Sequence, residues 1–282
     1  MSREEDAPIG RLLSRLDLDE LDRDLFMGTP GRGRGRLFGG FVAAQATLAA
    51  GRTVEGSVLH SLHAYFLRPG AHDKPIRYVV DRIRDGRTYT TRRVVAHQGG
   101  EAILNLAASF TRPEEGISHQ DPMPDVPPPE ELPDWDDLRE ERTGVRGEVQ
   151  PLELRACEPE EEFRSGRPRA ALRRVWMRPR GEMPDDPMLH AVMFVYASDR
   201  ILLSTAGLPH GLVSGQMVGA SLDHAVHLHR SEPFADWILY EAESPAAHAA
   251  RGLTRGAMYS RGGVRIASVT QEGLVRKPRT PR

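Results

Sequence analysis

One acidic residue of the sequence stands on an otherwise apolar helical stripe, where a carboxylate could do acid–base chemistry. The stretch PMLHAVMFVYASDRILL, from Pro187 to Leu203, has apolar residues at the spacing of a buried helix. Asp199 follows Tyr196 by three residues and Val195 by four, so it lies on the apolar stripe. A buried ionised carboxylate is costly unless it is hydrogen-bonded, which makes Asp199 a candidate functional residue. The alternative is a carboxylate at the edge of the stripe that bonds a neighbouring loop.

Three further polar residues have less informative surroundings. Ser221 lies in GASLDHA, which lacks the second glycine of the G-x-S-x-G nucleophile elbow and so disfavours an α/β-hydrolase. The pattern alone favours a backbone-bonded strand hydroxyl for Ser221 and a solvated strand end for Gln271. Cys157 follows an arginine and precedes acidic residues, with no histidine or helix start to activate its thiol, so we interpret it as inert.

Three histidines of the second half raise the question of a metal site. His224, His227 and His229 are close in sequence, but on a strand His224 points to the face opposite the other two. Only Asp223 stands near them, and the sequence has no H-E-x-x-H motif. We therefore predict no metal and no cofactor, and we interpret these histidines as polar strand surface.

A glycine–arginine segment, GTPGRGRGRLFGG from Gly28 to Gly40, is typical of a phosphate-contacting loop or of a nucleic-acid-binding segment. It does not fit the dinucleotide fingerprint, because Phe38 stands where G-x-G-x-x-G requires its third glycine. A flexible surface loop is the remaining interpretation.

The composition is that of a soluble globular protein. The chain has 282 residues, of which 39% are apolar and 28% charged, and its formal net charge of −2 creates no overall field that favours nucleic acid. The single cysteine excludes an intrachain disulfide and favours a reducing compartment. We find no apolar run that we expect to span a membrane, no signal peptide in MSREEDAPIG and no Ser-Lys-Leu ending. We therefore expect a cytoplasmic protein.

The elements that must position these residues follow in a regular order. Residues 1–26 predict a short lead-in helix, and GGFVAAQATLAAGRT predicts a second helix whose small residues permit close packing on a sheet. Residues 58–110 alternate between turn signals and predict an antiparallel meander. Residues 113–150 are rich in proline and acidic residues, which predicts a linker with extended pieces that builds no core.

The pattern of helix and meander occurs twice. After residue 150 come a strand candidate, LRRVWMRPR, the Asp199 helix and several alternating segments. A Gly-Gly turn precedes the last strand of each half, at residues 99–100 and 262–263, so residues 93–110 and 257–272 look like one ending used twice. This repetition indicates an internal duplication and an α+β protein with two similar lobes.

Seven short motifs occur in order over both halves. They are LFGG at Leu37, LHSLHAYFLRPG at Leu59, IRDGRTYTTRRVVAHQGG at Ile83, YASD at Tyr196, SLDHAVHLHR at Ser221, ARG at Ala250 and VTQEGLVR at Val269. Together they resemble the bacterial acyl-CoA thioesterase II family. The resemblance implies an α+β double hot-dog fold, in which two antiparallel sheets each wrap round a long helix. It implies a lobe over 1–112 that includes the lead-in helix and a lobe over 151–282 that carries the catalytic residues. The Pro-rich acidic linker over 113–150 does not visibly match the family and rests on its composition alone.

The resemblance also implies a catalytic trio. Carried over by motif, the family's Asp is Asp199 in YASD, its hydroxyl residue is Ser221 in ASLDH and its Gln is Gln271 in VTQEG. These side chains would hold a water that attacks the thioester carbonyl, with Asp199 accepting its proton and no covalent acyl-enzyme. The first lobe has Ala108 where the repeat places Gln271, so we expect that lobe to have lost its site. Phe41 departs from the family pattern, in which many relatives have Gln.

We therefore predict an acyl-CoA thioesterase that hydrolyses fatty acyl-CoA to free fatty acid and CoA. The alternatives are a non-catalytic acyl-CoA-binding hot-dog protein, an enoyl-CoA hydratase that uses Asp223 with a nearby histidine, and a nucleic-acid-binding protein that uses residues 31–36. The expected partner is the acyl-CoA substrate, with neither nucleic acid nor membrane. Because hot-dog relatives commonly assemble, we expect a homodimer or homotetramer.

Overall fold

Two buried helices, one in each half of the chain, lie inside an antiparallel sheet. The structure is a computed structural model that describes residues 7–145, 147–159, 161, 165–212 and 217–277. The first half contains α1 (Pro8–Leu16), β1 (Leu18–Asp22), β2 (Leu25–Gly28), α2 (Gly39–Gly51), β3 (Val58–Phe66), β4 (Ile76–Asp85), β5 (Tyr89–Gln98) and β6 (Glu101–Thr111).

The second half repeats this plan after an intervening segment. That segment contains a 3-10 turn (Pro129–Glu131) and α3 (Trp135–Thr143). The second half itself contains β7 (Leu152–Ala156), β8 (Leu172–Pro179), α4 (Pro187–Ser198), α5 (Leu202–Thr205), a 3-10 turn (Leu208–His210), β9 (Val218–Ser221), β10 (Asp223–Leu228), β11 (Ile238–His248), β12 (Arg251–Ser260) and β13 (Arg265–Arg276).

The strands of the described residues join edge to edge into one sheet. Their order is β1-β2-β4-β5-β6-β3-β10-β13-β12-β11-β8-β7, and β9 pairs with β13 beside this path. The two halves meet where β3 pairs with β10, with Ala64 opposite His224. The two sheets expected from the sequence are therefore the two halves of one sheet.

Both core helices are apolar on all sides, which is the pattern of a helix that the rest of the protein covers completely. Helix α2 is buried from Gly40 to Ala50, and α4 is buried from Val192 to Ser198. The two helices pack closely: a Cβ added to Gly40 would lie 2.8 Å from the carbonyl oxygen of Tyr196. The start of α2 is thereby held against the end of α4, where Asp199 follows.

Judged by length and composition alone, one apolar stretch could span a membrane, so the expectation that none could is wrong. The stretch Pro187–His210 passes that test, although 72% of its apolar window is buried inside the fold. It contains α4, so its apolar composition is explained by its place in the core of the protein.

The expectation of one lead-in helix over residues 1–26 is also wrong in part. Residues 1–6 lie outside the described residues. Helix α1 buries Ile9, Leu12 and Leu16 against the core and ends there, and the hairpin β1–β2 follows. Because β2 pairs with β4, this hairpin extends the sheet edge, and the leucine spacing after Leu16 belongs to a strand.

The segment predicted to be a linker with extended pieces packs on the outer face of the second half. Trp176 donates its indole N–H to the carbonyl oxygen of Pro127 at 3.0 Å. Met123, Val126 and Leu132 lie against a buried cluster of Trp176, Trp237, Leu239, Ala257 and Tyr259. The segment builds no core of its own, as its composition predicts, but its few apolar residues complete a core that the strands provide.

The proposed duplication is visible in the strand register. Residues 99–100 and 262–263 lie in the turns of the equivalent hairpins β5–β6 and β12–β13. In the first hairpin Ala108 lies opposite Arg92, and in the second Gln271 lies opposite Thr254. Ala108 thus occupies the place of Gln271, as the sequence repeat predicts.

Candidate active site

The carboxylate of Asp199 lies at the junction of the two halves. Asp199 caps the C-terminus of α4, and its Oδ2 accepts the backbone N–H of Gly40, in the first turn of α2, at 2.7 Å. Its Oδ1 accepts from Nε2 of Gln271, also at 2.7 Å. The carboxylate thus lies at the N-terminus of α2, where the first N–H groups of the helix have no intrahelical partner. The partner is a helix start from the other half, which the edge-of-stripe interpretation did not foresee.

The structure brings Ser221 and Gln271 to the same carboxylate. Ser221 ends β9 opposite Gly273 of β13, so its side chain lies beside that of Gln271 two residues earlier. Nε2 of Gln271 donates to Ser221 Oγ at 2.9 Å, and Ser221 Oγ lies 3.4 Å from Asp199 Oδ1. The carboxylate and the hydroxyl both need a donor here, which fixes the orientation of the Gln271 amide.

A pocket of about 510 Å³ opens onto two members of this trio. Asp199 and Ser221 line it together with Gly39, whereas Gln271 is 1% exposed and holds them from behind. The pocket walls are mostly apolar, from Leu37, Phe38, Val42, Phe66, Leu67, Ile103, Ile201, Leu203 and Leu222. A concave apolar site with a few converging polar groups is the usual form of a small-molecule site.

Three arginines also line this pocket, and sequence reasoning identified only one of them. Arg36, from the glycine–arginine segment, donates to the carbonyl oxygen of Gly219 at 3.2 Å. Arg68 pairs with Glu101 at 2.9 Å, and the guanidinium of Arg200 lies 5.5 Å from the ring centroid of Phe38. Arg200 could have been identified from the sequence, because it directly follows the candidate catalytic residue Asp199. Arg32 and Arg34 are exposed and do not line the pocket.

Asp223 does not join the trio, although it stands two residues from Ser221. Its Oδ1 accepts the backbone N–H of Glu272 at 2.6 Å, and its Oδ2 lies 3.0 Å from Nε2 of His63. Strict alternation along one strand would place Ser221 and Asp223 on the same face, but the strand breaks at Leu222 between β9 and β10. Asp223 therefore ties strands β3, β10 and β13 together.

His224 is not polar strand surface, so that interpretation is wrong for this residue. It is 0% exposed, and its Nε2 lies 2.7 Å from Ser198 Oγ. It belongs to β10 at the centre of the sheet, where inward-pointing residues are covered by α4. Burial lowers the pKa of His224 below its ordinary value of 6.5, and His63 lowers it further, against the raising effect of Asp199 and Asp223. The side chain is therefore neutral at pH 7.

Acidification should destabilise the protein through His224. Because the folded-state pKa is below 6.5, the unfolded chain takes up the proton first, and stability is lost as pH falls below about 6.5. We expect the urea midpoint to fall between pH 7.5 and pH 5.5, and to fall less in His224→Gln. An equal decrease in both proteins would contradict this assignment.

The other candidate sites raised by the sequence are the Cys157 thiol, a metal site and a second trio in the first half. Burial raises the pKa of the Cys157 thiol to about 12, which confirms that it is unreactive at neutral pH. Among the described residues, no group of three or more His, Cys, Asp or Glu side chains is arranged to hold a metal. In the first half, the buried Arg92 lies opposite Ala108, the counterpart of Gln271, and donates to Thr53 Oγ1 at 2.8 Å.

Comparison with known proteins identifies the family. Residues 146–274 match a family model described as acyl-CoA thioesterase, and residues 29–111 match one described as acyl-CoA thioesterase N-terminal domain. Acyl-CoA thioesterase 2 of Haemophilus influenzae is 34% identical over 95% of this chain and 98% of its own length. Acyl-coenzyme A thioesterase 8 of the mouse is 36% identical over 93% of this chain and 88% of its own length.

Solved structures agree in fold. An acyl-CoA thioesterase II, TesB2, from Mycobacterium marinum superposes with a TM-score of 0.80 at 37% identity, over 96% of this chain and 99% of its own. A hot-dog protein from Alicyclobacillus acidocaldarius, at 20% identity, has a TM-score of 0.78 over 95% of this chain and 99% of its own. The α+β double hot-dog prediction is confirmed, and this chain belongs to the bacterial acyl-CoA thioesterase II family.

Proposed function

We propose that this protein hydrolyses fatty acyl-CoA thioesters to free fatty acid and CoA. The observation that carries the proposal is the hydrogen-bonded Asp199–Ser221–Gln271 network at one side of a largely apolar pocket. The apolar walls suit an acyl chain, and the three arginines suit the phosphates of CoA.

In the proposed mechanism, Asp199 and Ser221 hold a water in the pocket. Asp199 takes a proton from the water as its oxygen bonds to the thioester carbonyl carbon. The carbon–sulfur bond then breaks, and the departing thiolate of CoA receives that proton. Gln271 does not reach the pocket surface, so its role is to hold the carboxylate and the hydroxyl in register.

The start of α2 supports the developing charge in this mechanism. Gly39, the first residue of the helix, lines the pocket directly beside Asp199. The first N–H groups of a helix have no intrahelical partner and favour negative charge. The carbonyl oxygen of the substrate would therefore accept from the N–H of Gly39 as it becomes an oxyanion.

Release of free thiol from a panel of acyl-CoAs of different chain lengths tests this function. Thiol release is the expected result, and its absence with every chain length would leave a non-catalytic binder. An enoyl-CoA substrate tests the hydratase alternative, which predicts hydration with an intact thioester. That alternative has one favourable observation, the Asp223–His63 pair, but neither residue lines the pocket.

The glycine–arginine segment should assist binding and not chemistry. Replacing Arg32, Arg34 and Arg36 together by Ala should raise KM mainly at low ionic strength, because exposed charges are screened by salt. Turnover at saturating substrate should be unchanged. Since Arg36 is the only one of these three that lines the pocket, Arg36→Ala alone should account for most of the change in KM, with the Arg32→Ala/Arg34→Ala variant as its control. A loss of saturated turnover in the triple variant would contradict this role.

We further propose a cytoplasmic homodimer or homotetramer without cofactor, nucleic acid or membrane association. Burial of most of Pro187–His210 supports the absence of a membrane span. The grouping of strands supports lobes over 1–112 and 151–282 with the segment 113–150 between them. Light scattering at micromolar concentration tests the assembly, and a mass of one chain would refute it.

A further inference from the structure

Two buried side chains that the proposed mechanism does not use meet at the residue before Asp199. Nε2 of His224 lies 2.7 Å from Ser198 Oγ, and the phenol of Tyr240 donates to the Ser198 carbonyl oxygen at 2.8 Å. All three residues are 0% exposed. His224 comes from β10 and Tyr240 from β11, which are separated in the sheet by β13 and β12. Two distant strands thus converge on one residue at the end of α4.

The hydrogen bonds of Ser198 assign the protons of both partners. Ser198 Oγ donates to the carbonyl oxygen of Val195 at 2.9 Å, so it can only accept from His224. The neutral imidazole therefore carries its proton on Nε2. Burial raises the pKa of Tyr240 well above its ordinary value of 10, with a smaller contribution from Asp199, so the phenol remains a donor. At neutral pH, His224 and Tyr240 therefore both donate a hydrogen bond to Ser198.

The position of Ser198 gives these donations a consequence for Asp199. The last carbonyls of a helix have no intrahelical partner, and the phenol of Tyr240 satisfies that of Ser198. This carbonyl belongs to the peptide bond that joins Ser198 to Asp199. The Asp199 carboxylate must in turn reach Gly40 N and Gln271 Nε2, both at 2.7 Å. A shift of the helix end would lengthen both contacts together.

We propose that His224 and Tyr240 are positioning residues, which fix the Ser198–Asp199 peptide and thereby the place of the catalytic carboxylate. This inference rests on the proposed function of Asp199. A misplacement of about 1 Å can cost roughly a hundredfold in rate, so a small change in this clamp should be visible in turnover.

Tyr240→Phe and Tyr78→Phe form a matched pair for the test. Tyr78 is also 0% exposed, and its phenol donates to Gln45 Oε1 at 2.7 Å in the first half, away from the pocket. With one acyl-CoA that the wild type turns over, Tyr240→Phe should lower kcat by about tenfold or more and leave KM unchanged. Tyr78→Phe should lower the unfolding temperature by a similar amount and keep the wild-type kcat.

His224 provides an independent test by conservative rescue. His224→Leu removes the donor to Ser198, and its kcat should fall by about tenfold or more. His224→Gln restores an N–H at the same reach, and its kcat should recover most of that loss. If Tyr240→Phe does not fold, this pair decides the question.

The outcomes separate this inference from the proposed function. No thiol release from any acyl-CoA by the wild type would overturn the proposed function. Wild-type kcat in Asp199→Asn would overturn the role of Asp199 in it, and the clamp with that role. An impaired Asp199→Asn variant, together with wild-type kcat in both Tyr240→Phe and His224→Leu, would overturn the clamp alone. Equal losses of kcat in Tyr240→Phe and Tyr78→Phe would also overturn it, because a general loss of stability would then explain both.

Discussion

Asp199→Asn is expected to lower turnover of acyl-CoA by roughly a hundredfold or more, the usual scale for the loss of a general base. The amide cannot take the proton of the attacking water. One of its two donors, Gly40 N or Gln271 Nε2, would also face an NH₂ group instead of an oxygen. Because Asn keeps the shape and one acceptor, the fold should survive, and kcat should be measured beside a thermal unfolding curve.

Asp223→Asn is the matched control, since it makes the same change two residues from Ser221. Asp223 bonds Glu272 N and His63 and does not line the pocket. We expect it to lower the unfolding temperature or disturb the strand break more than it lowers turnover. A folded but inactive Asp223→Asn beside an active Asp199→Asn would refute the assignment and favour the hydratase alternative.

Gly39→Ala is expected to abolish most turnover with little change in secondary structure. The added Cβ would lie 2.9 Å from Asp199 Oδ2 and 3.0 Å from the ring of Phe66, closer than Cβ atoms normally approach. Either the carboxylate moves away from its partners or the start of α2 moves away from the pocket. A displacement of about 1 Å at reacting groups costs roughly a hundredfold, so kcat should fall by that order.

Gly262→Ala is the control for this substitution. Gly262 lies in the β12–β13 turn, where an added Cβ would have its nearest contact at 3.9 Å, with Ser260 Oγ. It should keep the wild-type kcat and circular dichroism. A Gly39→Ala enzyme with normal kcat would show that the start of α2 does not set the position of the carboxylate.

The separate parts of the site differed in how far the sequence could predict them. Helical spacing alone singled out Asp199, because a carboxylate on an apolar stripe is unusual in itself. Ser221 and Gln271 are ordinary strand residues by pattern, and only the family motifs identified them. Gly40 N, a partner of Asp199, lies 159 residues away in sequence, a contact that no local periodicity reports.

The errors in the fold predictions have a common physical cause. Composition predicted that residues 113–150 build no core, but it carries no information about a surface that another part of the chain provides. Trp176 and Trp237 of the second half supply that surface, and Met123 and Val126 cover it. Alternation likewise placed His224 on the face opposite His227 and His229, but it could not show that α4 covers that face, so His224 was wrongly interpreted as polar surface.

Through the hydrogen bond between Gly40 N and Asp199, both halves contribute to one active site, but they contribute different parts of it. The first half supplies a helix start to the reacting carboxylate, while Ala108 stands at its own counterpart of Gln271. In an assembly of identical half-length chains, each substitution would alter every reaction centre at once. Fusion into one chain removes that coupling, so one copy can become a permanent scaffold while the other keeps the chemistry. The number of substrate molecules bound at saturation should then equal the number of chains, and half the number of hot-dog lobes.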